Sequence, residues 1–420
     1  MIDKKISWWR KFLAFAGPGY MVAVGYMDPG NWATDLAGGS KFGYILLSVI
    51  LISNFLAIIL QHLSLKLGIV TGKDLASISH KFPTWLRRSL WVMAEVAITA
   101  CDLAEVIGSA IALNLLFKLP LMVGVLVTII DVFLLLFLQE KGMKYLEALV
   151  ISLISVIVVS FGIEIFLSHP NMLQILGGLM PSIEILKNSE MLYIAIGILG
   201  ATVMPHNLYL HSYLAQSRKF GNKNEDKKEA ITYSTIDSTL ALSFAFVVNC
   251  AILILAAAVF HRNGLYEVAE IQDAHELLSP ILGTNLSGIL FAIALLASGH
   301  NSTITGTLAG QVVMEGFINI RLKPWIRRLL TRGLAILPTI IVVGVYGAHG
   351  LAKLLVLSQV ILSLQLPFAV IPLVYFTSSK KIMGKFVNSR GLVVLSWAIA
   401  VLITGLNLYL LLQVIPTETK

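Results

Sequence analysis

Charge is scarce in this sequence. Only 13% of its 420 residues are Asp, Glu, Lys or Arg, whereas 57% are hydrophobic, and the mean hydropathy is +0.84. Because a soluble domain carries roughly 25% charged residues, the shortage excludes an ordinary soluble domain. Long apolar runs recur along the whole length, so the lipid bilayer is the solvent that we expect around this chain.

Cysteine is scarce as well. The only two, Cys101 and Cys250, lie inside apolar runs and have neither a disulfide spacing nor a metal-ligand spacing. The HExxH signature of zinc hydrolases is missing too, since the nearest string, HELL at 275–278, lacks the second histidine. We therefore predict a protein that is not an enzyme and that has no resident cofactor.

A continuous basic patch is also absent, although the net charge is +8. The Lys and Arg residues lie in the short segments between apolar runs, where they act as topology signals and not as a nucleic-acid surface. We therefore predict no nucleic-acid partner, and no feature of the sequence indicates an obligatory protein partner.

Eleven apolar runs are present, each near the length of about 20 residues that a helix needs to cross a bilayer. No alternating pattern of short strands accompanies them, so the sequence predicts an all-α membrane protein. The predicted spans are 13–37, 44–68, 91–117, 120–139, 146–167, 191–216, 235–260, 286–313, 329–347, 351–376 and 392–414.

The distribution of positive charge predicts the orientation. With the N-terminus inside, 23 of the 31 Lys and Arg residues fall in cytoplasmic segments, including Arg327 and Arg328 ahead of the ninth span, and 6 fall outside. This bias predicts a multi-pass protein of the cell membrane with a cytoplasmic N-terminus and an extracellular C-terminus. The longest outer segment, 261–285, is predicted to contain an amphipathic helix.

Two spans are interrupted. The first carries Asp28, Pro29 and Gly30 together, and the sixth carries Met204 followed by Pro205. Proline removes a backbone donor, and a charge at this depth costs about 2.5–3.5 kcal/mol on insertion scales, so unwound segments that line a cavity are expected. A broken span in each half indicates a transport site at the midplane. Two ordinary proline kinks are the alternative.

The pairing of broken spans predicts inverted repeats within one transmembrane domain, 1–420. Spans one to five, at 13–167, form the first repeat, and spans six to ten, at 191–376, form the second. The eleventh span, 392–414, is an addition.

The residues at the two breaks suggest a metal ion. Asp28 and Asn31 supply oxygen ligands, unwinding frees the carbonyl groups of Gly25 and Ala201, and Met204 supplies a thioether. Oxygen ligands alone suit magnesium or calcium, whereas a thioether shifts the preference towards manganese, iron, cobalt or cadmium. The alternative for Met204 is gap-filling in the core.

The third span carries a stripe of acids. Asp102 and Glu105 are three residues apart, Glu95 lies seven before Asp102, and all three share one helix face. Such groups are costly in a membrane unless they pair or carry protons. Arg332 is the only arginine well inside a predicted span, so it is the expected counter-charge. A structural salt bridge and a proton path are both open.

His206 and His211 follow the second break. Histidine titrates near neutral pH, which suits a proton-linked gate. Because the two are five residues apart, they do not share a helix face closely, and hydrogen bonding of each to a neighbouring helix is the alternative.

Six stretches resemble the Nramp (natural-resistance-associated macrophage protein) family. They are DPGN at 28–31, LGIVTGKDLA at 67–76, DLAEVIGSAIALNLLF at 102–117, ATVMPHNLYLHS at 201–212, LTRGLAILPT at 330–339 and SQVILSLQLPFAVIPL at 358–373. The resemblance implies a leucine-transporter fold and proton-coupled transport of divalent metals. A magnesium-transporting branch of the family lacks the methionine, so the presence of Met204 places the chain with the transition-metal branch.

The resemblance also implies roles for individual residues. The implied metal ligands are Asp28, Asn31, Met204, the carbonyl groups of Ala201 and Gly25, and Gln359 from the tenth span. The residues implied in proton movement or gating are His206, His211, Asp102, Glu105 and Arg332.

The predicted function is therefore proton-coupled symport of divalent transition metal ions. Mn²⁺ and Fe²⁺ are the first candidates, with Co²⁺, Cd²⁺ and Zn²⁺ after them, and all are substrates. The expected partners are these ions, protons and the lipid bilayer. A sodium-coupled organic-solute transporter on the same scaffold is the alternative.

Overall fold

A computed structural model describes residues 12, 15–130, 143–218, 220–320, 322–347 and 350–414. Every regular element among these residues is a helix. Nine helices, with one broken pair counted once, are long and apolar enough to cross a membrane in the part of the chain described.

The first predicted span is three short pieces. Helix α1 (Pro18–Ala23) continues into a 3₁₀ turn (Val24–Met27), and helix α2 (Pro29–Phe42) follows. Asp28, between the turn and α2, has an extended backbone with φ −69° and ψ 162°. The chain therefore unwinds where the Asp-Pro-Gly sequence predicts, and the prediction of a discontinuous first span is confirmed.

The rest of the first half alternates long and short helices. In chain order they are α3 (Leu47–Thr71), α4 (Leu75–Ile78), α5 (Thr84–Phe117), α6 (Leu121–Ile130), α7 (Met143–Ser168), α8 (Met172–Gly178) and α9 (Glu184–Lys187). Helix α6 is the start of the predicted fourth span. The remainder of that span, with Asp131, lies outside the described residues.

The second half begins with the other broken span. Helix α10 ends at Val203, α11 starts at Pro205, and Met204 separates them, so the predicted break is confirmed here too. From there the helices are α10 (Ser189–Val203), α11 (Pro205–Leu214), α12 (Asn224–Val259), α13 (Ile271–Leu282), α14 (Asn285–Ile318), α15 (Pro324–Tyr346), α16 (Leu351–Thr377), α17 (Lys380–Met383) and α18 (Arg390–Val414).

The two broken spans lie at the centre of the bundle. The α10–α11 pair is almost entirely buried, whereas α7, α15 and α18 expose most of their apolar surface, as lipid-facing helices do. Helix α16 crosses both breaks where glycine permits close approach, since Gly30 lies against the Gln359 side chain and Gly200 lies against the Gln359 backbone.

The amphipathic helix predicted for segment 261–285 is α13. The residue before it, Glu270, accepts hydrogen bonds from the N–H groups of Gly350 (2.7 Å) and Ala352 (2.9 Å). A carboxylate at a helix N-terminus satisfies orphan donors and complements the helix dipole. This segment therefore fixes the start of α16.

Candidate metal site and acidic cluster

Asp28 caps helix α2. Its Oδ1 atom accepts hydrogen bonds from the backbone N–H and from the side-chain amide of Asn31, both at 2.8 Å. Such a cap contributes about 1 kcal/mol to a helix. The Oδ2 atom is buried without a hydrogen-bond partner among the described residues. The residue thus holds the helix with one oxygen and keeps the other available.

Met204 occupies a strained backbone conformation. Its φ of 31° and ψ of 105° lie on the left-handed side, where a residue other than glycine costs about 1–3 kcal/mol. The break follows from Pro205, which cannot donate a backbone hydrogen bond and therefore begins a new helix. The Met204 side chain is fully buried.

A direct hydrogen bond joins the two breaks. The side-chain amide of Asn31 donates to the carbonyl oxygen of Ala201 at 3.0 Å. On the other side, Gly25 lies against the Met204 sulfur, since an added Cβ would be 3.3 Å from Sδ. The Gly25 carbonyl group accepts the Asp28 N–H at 3.3 Å. The structure therefore brings these five predicted residues together.

Gln359, the sixth predicted ligand, reaches the same neighbourhood from α16. Its side chain lies against Gly30, between Asp28 and Asn31, and its Nε2 donates to the Ser358 hydroxyl group at 2.9 Å. The Oε1 atom is buried and has no hydrogen-bond partner among the residues described.

Two asparagines at this site were not predicted. Asn249 of α12 donates to the Tyr26 carbonyl group at 2.9 Å and to the Asn31 side chain at 3.3 Å. Asn207 of α11 donates to the Met204 sulfur at 3.5 Å. Polar residues inside apolar spans were the available signal, but interhelical hydrogen bonding explains most such residues.

An acidic cluster lies one helical turn from the first break. Gly108 of α5 lies against the Pro29 ring, and Glu105 precedes Gly108 by three residues. Glu105 accepts from Arg328 at 2.7 Å and from Arg332 at 3.0 Å, and Arg328 also pairs with Asp102. All four charged side chains are buried.

This cluster corrects the prediction of Arg332 as the single counter-charge. Helix α15 begins at Pro324, five residues before the predicted span, so Arg328 is helical and buried. Arg327 is buried too and pairs with Glu95 of α5 at 3.0 Å. Both arginines were predicted to lie in a segment between spans, whereas in the structure they belong to helix α15 and their side chains are buried.

The two histidines have different environments. His211 Nδ1 lies 2.8 Å from Gln61 Oε1, and Gln61 donates to the Tyr26 hydroxyl group at 2.9 Å, which links α11, α3 and the first break. His206 is also fully buried, but neither ring nitrogen has a hydrogen-bond partner among the described residues. The hydrogen-bonding alternative therefore describes His211.

Comparison with known proteins assigns the family. The sequence model described as "Natural resistance-associated macrophage protein-like" (Nramp) matches residues 19–413. The chain belongs to the Nramp family. The "Divalent metal cation transporter MntH" of Listeria welshimeri is 60% identical over 99% of this chain and 93% of its own length. The protein of the same name from a Nostoc species is 60% identical over 97% and 92%.

Solved structures agree with this family. A crystal structure of the Eremococcus coleocola manganese transporter is 43% identical, with a TM-score of 0.89, and the match covers 97% of this Nramp protein and 88% of that chain. The transporters MhsT (TM-score 0.61, 16% identity) and Mhp1 (0.58, 14%) share the fold alone. The predicted leucine-transporter fold is thereby confirmed, and relatives that are membrane transporters confirm that this multi-pass protein is not an enzyme.

Proposed function

We propose that this Nramp protein is a proton-coupled symporter that imports divalent transition metal ions, with manganese and iron as the first candidates. The observation that carries the proposal is the convergence of the two breaks, where Asn31 connects Asp28 to the Ala201 carbonyl group and Met204 lies beside Gly25. The names of the relatives at 60% identity support divalent metal ions as the substrate class.

The ligand set suits such an ion. Asp28 supplies a carboxylate oxygen, Oδ2, that has no hydrogen-bond partner among the described residues, the amide and carbonyl oxygens are neutral, and the Met204 sulfur is soft. Desolvating a divalent ion requires an anionic ligand, and the thioether favours transition metals over calcium and magnesium. Gln359 Oε1 is a further unpartnered oxygen at the same place.

The acidic cluster supports proton coupling. Asp102 Oδ2 is buried without a hydrogen-bond partner among the described residues, although Oδ1 pairs with Arg328. Carboxyl groups one turn from the proposed metal site can take up and release a proton when their ion pairs with the arginines rearrange. His206, with both ring nitrogens unpartnered in this part of the structure, is the proposed proton carrier between the site and the cluster.

Alternating access would follow from tilting of the short helices about the two breaks. The proposed location is the cell membrane with the N-terminus in the cytoplasm. A metal ion and a proton then carry three positive charges inward, and a negative-inside potential assists by about 2.3 kcal/mol per charge per 100 mV.

The test is uptake of radiolabelled manganese into proteoliposomes that contain an internal pH dye. We expect uptake with internal acidification, little competition by calcium or magnesium, and no need for sodium. Asp28→Asn should abolish uptake, because it keeps the helix-capping oxygen but removes the charge. Asp273→Asn, at an exposed acid of α13, is the matched control.

Three results would contradict the proposal. If manganese does not enter, or if Asp28→Asn takes it up normally, the proposed metal site is wrong. Uptake that requires sodium and proceeds without a pH change would favour the sodium-coupled alternative.

A further inference from the structure

Asn207 binds Met204 from two directions. The residue is fully buried in the first turn of α11, and its backbone N–H donates to the Met204 carbonyl oxygen at 3.2 Å. Its side-chain Nδ2 donates to the Met204 sulfur at 3.5 Å. Both ends of the methionine are therefore held by one residue.

A second partner fixes the orientation of the Asn207 amide. Nδ2 also donates to the Val22 carbonyl oxygen of α1 at 3.4 Å. A carbonyl oxygen accepts from the nitrogen end of an amide and repels the oxygen end, so the donor must face Val22 and Met204. The amide oxygen then points elsewhere, and it has no hydrogen-bond partner among the described residues.

The first broken span packs closely against both side chains at this point. A Cβ added to Gly25 would lie 2.5 Å from Asn207 Nδ2 and 3.3 Å from the Met204 sulfur. The first broken span therefore presents bare backbone to the Asn207 amide. Together with the Asn31–Ala201 hydrogen bond, this contact is the second link between the two breaks.

A thioether ligand needs such support. Methionine has three rotatable side-chain bonds and fills space in many conformations. Its sulfur is a weak hydrogen-bond acceptor. An N–H group bonded to the sulfur fixes the side chain, and the second lone pair of a thioether can still bind a metal ion.

We propose that Asn207 is a positioning residue that holds the Met204 sulfur towards the transported ion and thereby sets the discrimination of soft ions from calcium. This inference rests on the proposed function, in which Met204 is a ligand. Asn207 acts through Met204, so its contribution disappears when the sulfur is removed.

The test is a double-mutant cycle with Cd²⁺ and Ca²⁺ as probes. Uptake of each ion is measured for the wild type, Asn207→Leu, Met204→Ala and the double variant. Leucine keeps the approximate shape of asparagine but has no N–H group. We expect Asn207→Leu to lower the cadmium-to-calcium selectivity about fivefold, the effect of one lost hydrogen bond, and to add no loss in the Met204→Ala background.

The matched control is Asn407→Leu. Asn407 is a buried asparagine in α18 that donates to the carbonyl oxygens of Ser363 (3.1 Å) and Ile403 (2.9 Å). Its loss removes two hydrogen bonds that involve neither Met204 nor Asn207, so any drop in uptake should affect both ions equally.

Two results would overturn the inference alone. The first is a cadmium-to-calcium selectivity that changes in Met204→Ala but not in Asn207→Leu. The second is a double variant in which the selectivity losses of the two single variants add. If the wild type takes up no metal at all, both the proposed function and this inference fail. If Asn207→Leu does not yield folded protein, Asn207→Ser provides the same comparison, because its hydroxyl group is too short to reach the sulfur.

Discussion

Arg328 of α15 donates to Glu105 of α5 at 2.7 Å, and both side chains are fully buried. Charges in such a place are stable only while they remain paired, because each one has lost its hydration. The ion pair therefore fixes α15 against α5 as long as it is intact. Any movement between the two helices must provide Glu105 with a new partner or with a proton.

Removal of Arg328 should destabilise the protein. In Arg328→Ala, Asp102 loses its ion-pair partner and Glu105 loses one of its two arginines, so we expect a loss of about 3–5 kcal/mol. The midpoint of thermal unfolding in detergent measures it. Arg88→Ala, at an exposed arginine at the start of α5, should leave the midpoint unchanged. Equal midpoints for the two variants would show that the buried pair does not stabilise the fold.

A salt bridge joins the end of helix α2 to the start of helix α10, away from the two breaks. Lys41 in the last turn of α2 pairs with Glu190 in the first turn of α10 at 2.5 Å, beside a cavity of about 650 Å³. Both side chains are partly exposed, so the pair contributes at most about 1 kcal/mol.

Charge reversal at Glu190 should open this end. In Glu190→Lys, a cysteine introduced as Ala37→Cys, in the wall of the cavity, should react about fivefold faster with a polar thiol reagent. Adding Lys41→Glu should restore the slow rate. Glu184→Lys, at an exposed acid nearby, serves as the control. A reaction rate that stays high in this double variant would show that the salt bridge does not control access to the cavity.

Gly30 should not tolerate a side chain. A Cβ there would overlap the Gln359 amide, and overpacking of this kind costs about 1–3 kcal/mol, more than the helix gains from alanine. We therefore expect Gly30→Ala to lower the unfolding midpoint and Gln359→Ala to restore it in the double variant. Gly177→Ala, where the structure leaves open space, is the control. If the double variant has the same low unfolding midpoint as Gly30→Ala, the added methyl group clashes with atoms other than those of Gln359.

His275 should make stability depend on pH. It lies in α13, outside the membrane-spanning helices, and burial, followed by the charge of Lys118, lowers its pKa below 6.5, while Glu276 opposes the shift. The unfolded chain then binds the proton more readily, so stability is full above about pH 6.5 and falls as the pH drops below it. The unfolding midpoint, measured between about pH 7 and pH 5, should fall less in His275→Gln. The control is His169→Asn, at an exposed histidine, whose unfolding midpoint should fall with pH as that of the wild type does.

The breaks could be predicted because their cause is local. Proline and glycine act on the backbone within a turn of where they stand, and Asp28 caps helix α2 by accepting from the N–H group of Asn31, only three residues further along the chain. The leucine-transporter fold followed from the family resemblance, which depends on the same short motifs.

The burial of Arg328 could not be predicted, because the groups that stabilise it lie on another helix, far away in the sequence. A hydropathy window ends a span where charges begin, but α15 continues through them, since Asp102 and Glu105 of another helix offset the cost of burial. Asn207 and Asn249 were missed for a related reason. Their partners lie in other helices or at the break, and only the three-dimensional packing shows what each amide contacts.

Met204 has a positive φ of 31°, on the side of backbone space that glycine enters more readily than other residues. Protein engineers commonly stabilise a fold by replacing residues in left-handed conformations with glycine. Applied here, that strategy would relax the chain and discard the proposed thioether ligand. Under the proposed function, thermal stability and ion selectivity therefore oppose one another at a single position, and we expect a screen for heat resistance to select variants with weakened ion discrimination.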